Sequence, residues 1–408
     1  MPTPTPPTPT PAAPARSAGY GAVLRVPGLR AIFFAHAVSM AGTVAAEVAL
    51  SILVFERTRS PLLSALVLVC SFLPYALGGV ALSSIADRFP ARRVLVCCDL
   101  VSATAIAAML IPGMAVATLL GLLLVTGTVA PIFAGARAAS LAHLLHAELF
   151  PTGRSLLRAI SQLTLLAGFA VGAIAVAAIG PTWLLGLDAG TFVASAVLIG
   201  IGTPSTPRTA APTRSTVRES LAGLGYIFGN KRLRRLIVLS WIVPAFSSMP
   251  DGLAVAYTAQ TGVAASLAGA LFTGYAAGSI LGELVATRLA PSTRRRLVIP
   301  LILVTQLPAI AFVTEPAIPV AAVLLAISGC GYAFNQGIDP LILVASDPAY
   351  RGRLFTVQTS GLMAIQGVGI ALAGLLGTLI RPNLAICVGG LVGTATTMIL
   401  ARRTLSDS

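Results

Sequence analysis

Charge is what this chain has least of: Asp, Glu, Lys and Arg together make up 10% of its 408 residues, against roughly 25% in an ordinary soluble domain. That scarcity excludes a water-facing globular surface. Lysine is almost missing, with Lys231 alone among 27 basic residues, and aromatic residues reach only 6%. The five cysteines, Cys70, Cys97, Cys98, Cys330 and Cys387, lie in apolar runs without metal-ligand spacing, so neither a zinc site nor a disulfide framework is expected. No G-x-x-x-x-G-K-[ST] loop occurs, which argues against ATP hydrolysis within the chain. With no Gly-x-Ser-x-Gly elbow and no Cys/His cluster, a membrane enzyme has little to work with. No cofactor and no metal are implied.

What is present is apolar. Hydrophobic residues make up 56% of the chain and the mean hydropathy is +0.91. A helix needs about 20 apolar residues to cross the hydrocarbon layer. Twelve runs of that kind are bounded by charge, proline or glycine: Ala31–Phe55, Leu62–Ala86, Val94–Met114, Ala115–Leu141, Ala159–Ile179, Thr182–Ile201, Leu236–Tyr257, Ala264–Ala286, Leu297–Val313, Ile318–Val344, Leu354–Leu379 and Leu384–Leu400. Runs such as 115–136 are apolar on every side, unlike the alternating strands of a membrane barrel. Abundant Ala, Gly and Leu point to helices packed closely through small residues. The expected fold is an all-α membrane protein of twelve transmembrane helices, working against the lipid bilayer as its solvent.

Residues 1–26 form a Pro- and Thr-rich tail without the apolar core of a signal peptide, and read as a disordered cytoplasmic segment. The first six-helix bundle is expected over 27–202, a cytoplasmic linker over 203–235, the second bundle over 236–401 and a short tail over 402–408. Within the linker, Val217–Phe228 is amphipathic and reads as a short helix lying on the membrane surface. The net charge of +14 suggests nucleic acid only until the arginines are placed. Nearly all of them fall in loops on one side, with Arg57, Arg59 and Arg381 on the other and Arg137 inside a helix. Cytoplasmic retention of basic residues explains this distribution, makes a nucleic-acid partner unnecessary and sets both termini in the cytoplasm. A multi-pass protein of the cytoplasmic membrane follows.

The chain also repeats itself. Asp87-Arg88 aligns with Thr287-Arg288 and Gly78 with Gly278 at one spacing; Arg30 aligns with Arg234 at a spacing four longer, under which Glu47 falls on Asp251. Both halves therefore carry one acid at the same depth of their first helix. Parallel repeats of six helices are a transporter plan, with the substrate site near the midplane between them.

The turn Ser83-Ser-Ile-Ala-Asp87-Arg88-Phe-Pro90-Ala-Arg92-Arg93 resembles motif A of the major facilitator superfamily, which lies between helices 2 and 3. Asp87, Arg88, Arg92 and Arg93 match, the last two one residue late, while Ser83 and Pro90 stand where the family usually has glycine. Pro27-Gly-Leu-Arg30, Ser39-Met-Ala-Gly42, Arg59-Ser60-Pro61, Cys98-Asp99-Leu100 and Tyr350-Arg351-Gly352-Arg353 are similar to the macrolide-efflux and siderophore-exporter branch. Thr43 stands where that branch often has Asp, and Ser102 where it often has Arg. The resemblance implies two pseudo-symmetric six-helix bundles, a monomer, and proton-coupled export of a drug, antibiotic or siderophore-like molecule. It also implies a conformational rather than catalytic role for Asp87, Arg88, Arg92, Arg93 and Asp99.

An ionisable side chain inside a membrane helix costs a few kcal/mol or more, so each needs a partner, a wet cavity or a function. Glu47 shares one helical face with His36, Met40 and Thr43, a stripe that could line a central cavity and carry a proton. Asp251, between Pro250 and Gly252, is expected where helix 7 bends or breaks. Asp188 also lies in the outer half, and the alternative for each of these four titratable groups is a packed, hydrogen-bonded neighbour, the commoner use of a group like Asp188 or His36. Arg137 and Asp339 occupy matching places with opposite charge, and either pair across an inner gate or each pair within their own half. Phe246, Met249, Tyr257, Phe334, Asn335 and Gln366 join Met40 and Thr43 as candidate contacts for a bulky solute. Besides export coupled to protons, the residues leave open a proton-independent facilitator or importer, and more remotely a sensor or polytopic enzyme.

Overall fold

The computed structural model describes residues 20–81, 89–146, 149–204, 225–347 and 351–405, leaving aside the side chains of 76–81, 151, 351–353 and 355–356. The first half holds α1 Leu29–Thr58, α2 Pro61–Ala81, α3 Ala91–Ala108, α4 Val116–Leu144, α5 Phe150–Ile179 and α6 Pro181–Gly202. The second holds α7 Lys231–Ser247 continued by Met249–Gln260, α8 Ala268–Thr287 and α9 Val298–Ile310. It ends with α10 Ile318–Gly331 continued by Asn335–Ala345, α11 Arg351–Leu379 and α12 Pro382–Leu405. Among the described residues, nine of these spans are long and apolar enough to cross a membrane, taking the two pieces of α7 and of α10 together. The α2 and α9 helices are shorter apolar spans, and α3 carries Arg92, Arg93 and Asp99.

Several helices outrun the apolar segments that announced them. The α5 helix begins at Phe150 rather than near Ala159, and α12 runs to Leu405. An apolar run measures only the lipid-crossing part, whereas backbone hydrogen bonding continues into water. Proline opens α2, α6 and α12, where its missing N–H costs nothing. Gly180, at φ 79°, closes α5 and caps α6, a left-handed turn that a side chain would strain. Pro244 and Pro250 flank Ser248, and α7 is divided there, in agreement with the expected break. In α10 a 3₁₀ turn at Tyr332–Phe334 separates the two pieces.

The duplication is visible in the packing. In the first half α1 lies on α5 and α6, α3 on α4 and α6, and α2 on α4; in the second, α7 lies on α11 and α12, α9 on α10 and α12, and α8 on α10. Adding six to each label converts one set into the other. The α2–α11 and α5–α8 contacts join the halves and are themselves symmetry mates. Close approach depends on small residues: side chains at Gly274, Gly278 and Gly282 of α8 would collide with the backbone of Ala322, Ala326 and Cys330 of α10, four residues apart on each helix.

The halves meet unequally at their two ends. Toward the arginine-poor end one buried apolar cluster contains Val48, Ile52, Ala65 and Leu68 of the first half together with Leu253, Phe272, Phe312 and Ile370 of the second. The rings of Phe169 and Phe272 stack across the junction at 5.1 Å. At the arginine-rich end the clusters are separate: Leu29, Ile32, Phe33 and Leu141 in one half, and Leu236, Val298, Phe334 and Ile338 in the other. Of the linker, Gly225–Gly229 is helical, with Ile227 buried in the second half's cluster and the Tyr226 hydroxyl accepting from the Asp347 N–H at 2.8 Å. The rest of the amphipathic segment Val217–Phe228 lies outside the described residues.

Candidate functional site

A cavity of about 390 Å³ lies inside the first half, lined from all six of its helices and, among the described residues of the second half, by Met363 of α11 alone. That volume is in the range of small-molecule sites. The wall is mainly apolar, but its polar groups are sorted along its length. His36, Met40, Thr43 and Glu47 descend one face of α1, and all four line the cavity. At 1.5 Å per residue His36 and Glu47 are roughly 16 Å apart along the helix.

At one end sits Arg137 of α4, buried but for a small part. Its guanidinium donates to Nδ1 of His36 and lies over the Phe133 ring, 5.6 Å from the centroid. Because arginine only donates, Nδ1 must be an acceptor, which leaves the His36 proton on Nε2 to be donated to Ser161 Oγ at 2.8 Å. The Ser161 hydroxyl in turn donates to the Leu157 carbonyl at 3.0 Å. His36 is thereby a neutral bridge between α4 and α5. Arg137 Nε, buried, keeps no protein partner.

Toward the other end are Glu47 and Asp188. Ser71 of α2 hydrogen-bonds Glu47, and Asp188 lies within electrostatic reach of it. Asp188 is 1% exposed; its Oδ1 accepts from Thr191 at 3.2 Å and its Oδ2 has no partner. A Cβ at Gly42 would strike Asp188 and Thr191, so the absence of a side chain there lets α1 and α6 close around the acid. Tyr75 of α2 stands between the poles, within electrostatic reach of both Arg137 and Glu47. Asp99 also reaches the wall, where its Oδ2 accepts from Ser195 of α6 at 2.6 Å.

The other candidates lie elsewhere. Asp251 occupies the first turn of the second piece of α7, where the helix N-terminus favours an acid, and is not part of the cavity wall. Tyr257, Met249 and Phe334 are buried in the apolar clusters; the Tyr257 hydroxyl donates to the Pro316 carbonyl at 2.5 Å. Phe246 packs beside the same core, Asn335 donates to the Tyr332 carbonyl at 3.2 Å, and the Gln366 carbonyl accepts from Ser248. None of these six lines the cavity. Arg137 and Asp339 are not joined: Asp339 accepts from Gln358 at 3.4 Å instead. The cation facing Asp339 is Arg158 of α5, which lies within electrostatic reach of both Asp339 and Glu283. Of the motif between α2 and α3, Asp87 and Arg88 lie outside the described residues. Arg92 donates to the Gly200 carbonyl at the end of α6, and Arg93 is exposed.

Sequence reasoning missed Ser71, Tyr75, Thr191 and Arg158. The first three carry no charge, and only the rotation of α2 and α6 turns them inward. Arg158 looked like one more basic loop residue until α5 proved to start at Phe150.

Comparison with known proteins agrees with this architecture. The family model of the Major Facilitator Superfamily matches residues 32–256. The chain is 28% identical over 363 residues to the multidrug efflux pump Tap of Mycobacterium tuberculosis (strain ATCC 25618 / H37Rv) and equally to that of Mycobacterium bovis (strain BCG / Pasteur 1173P2), covering 84% of this chain and 85% of theirs. Among solved structures, the nucleoside transporter NupG superposes with a TM-score of 0.71 at 14% identity over 93% of this chain and 98% of that one. A bacterial homologue of the lysosomal transporter Spinster, in an inward-facing and unoccupied conformation, gives 0.65 at 13% identity over 94% of each chain. Twelve helices in two matching sets, a polar cavity within an apolar wall and a family match across more than half the chain lead to one conclusion: this is a multi-pass membrane transporter belonging to the major facilitator superfamily.

Proposed function

We propose that the protein exports a small organic molecule across the cytoplasmic membrane by alternating access, with Glu47 as the proton-carrying acid. The observation that carries this is the placement of Glu47 in the cavity wall between Ser71 and Asp188, away from any salt bridge among the described residues. An acid in that setting changes its proton affinity as the cavity passes between wet and closed states. Similarity to multidrug efflux pumps supports the outward direction. The bundles 27–202 and 236–401 act as the rocking bodies within a monomer, and the arginine-rich end faces the cytoplasm with both termini. Among the described residues the halves share a core at the arginine-poor end and have separate ones at the other, which supports a cavity reached from the cytoplasm in the present conformation.

Inside-out vesicles test the coupling. Uptake of a fluorescent drug should rise with an imposed inward-acidic gradient, and Glu47→Gln should remove that component while uptake driven by drug concentration alone persists. Gradient-independent transport by the unmodified chain would instead indicate a facilitator, the second reading of the same fold.

A further inference from the structure

The polar groups of the cavity divide by sign as well as by depth. One pole holds Arg137, with a buried Nε that no described protein group satisfies and a guanidinium whose side-chain hydrogen-bond partner, His36, is neutral. The other holds Glu47 and Asp188, with a buried Oδ2 that no protein group satisfies. A third carboxyl on the wall, Asp99, is already held by Ser195. Leaving buried polar atoms unsatisfied is costly, and a basic and an acidic group in one low-dielectric cavity would be expected to pair directly. They do not: among the described residues the recorded salt bridge is Arg381–Glu315, in the second half and far along the chain from this site. The rest of the wall carries apolar side chains, including Phe72 and Leu123, with the Tyr75 ring within electrostatic reach of both poles.

We propose that the cargo is an elongated ampholyte: an apolar body with a protonated amine at one end, seated against Glu47 and Asp188, and a carboxylate or comparable anionic acceptor at the other, seated against Arg137. This rests on the transport reading above and narrows it to a substrate class. Each pole supplies the charge-assisted bonds that the other end of the molecule lacks. Met363, from the second half, adds a flexible apolar surface that tolerates different bodies.

Binding to the purified full chain in detergent, read by calorimetry, tests this without requiring transport. The probes are three rigid biphenyls: one with an aminomethyl group at one end and a carboxylate at the other, one with the amine alone, and one with the carboxylate alone. The doubly charged probe should bind about tenfold or more tighter than either relative. Glu47→Gln should weaken the two amine-bearing probes and spare the acid; Arg137→Gln should weaken the two acid-bearing probes and spare the amine, with Arg137→Lys restoring most of the loss. Equal affinity for all three probes would overturn the proposal. So would a uniform loss in either variant, or no binding of any probe by a chain whose thermal transition is intact. Vesicle transport of an uncharged drug, unaffected by these outcomes, reports separately on the transport reading.

Discussion

At the scale of single residues the cavity depends on small side chains as much as on charged ones. Gly42 is where α1 passes over Asp188 and Thr191, and any side chain there must displace them. Gly42→Leu should therefore lower stability by about 1–3 kcal/mol through overpacking, read as a lower thermal midpoint in detergent. Gly190, in the same α6 helix, has open space where a Cβ would go, and Gly190→Ala should leave the midpoint unchanged or raise it slightly. The His36 bridge makes a different expectation. His36→Gln offers an acceptor and a donor of similar reach, so it should keep the α4–α1–α5 connection; His36→Leu removes both and leaves Arg137 with a further unmet donor. Transport should survive the first change and fall with the second.

At the scale of elements, the glycine ladder on α8 sets how closely the helix can approach α10. Gly278→Leu places a branched side chain against the Ala326 backbone, and backbone cannot move aside as a side chain can. The expected outcome is loss of folded protein after extraction, measured as a collapsed monodisperse peak on size exclusion, whereas Gly121→Leu on α4, with open space around it, should be extracted normally. The elements were also the best-announced part of the chain. Spans were legible because the bilayer fixes a minimum apolar length and because Pro and charge mark its edges. The break in α7 was legible from Pro250 and Gly252 around Asp251 for the same kind of reason. Which face of a helix turns inward was not legible where the whole surface is apolar. The aromatic candidates Tyr257 and Phe334 went to cores, since nothing in their neighbours' polarity sets one side apart. In α1 the stripe of His36, Met40, Thr43 and Glu47 broke that uniformity, and there the sequence pointed at the cavity.

At the scale of the whole molecule, exchange between states means parting the core at the arginine-poor end and closing the arginine-rich end. Opposite charges at the matching positions Arg137 and Asp339 suggested the closing contact, but symmetry of position does not bring side chains together, and Arg158 is a cation within electrostatic reach of both Asp339 and Glu283. Arg158 is exposed, so its attraction to them is screened and worth at most about 1 kcal/mol. Arg158→Glu should accordingly slow turnover a few-fold without abolishing it, and Arg158→Glu with Glu283→Arg should recover the rate in the vesicle assay. A rate left unchanged by the single reversal would remove this contact from the gate.

That Met363 is the second half's contribution to the cavity wall among the described residues implies, on the proposed transport reading, a division of labour between two copies of what began as one unit. On that reading the first copy is the vessel and the second the lever. Under drug selection, changes that redirect the protein toward a new compound should then accumulate before the linker, while changes that alter its speed for every compound alike should accumulate after it.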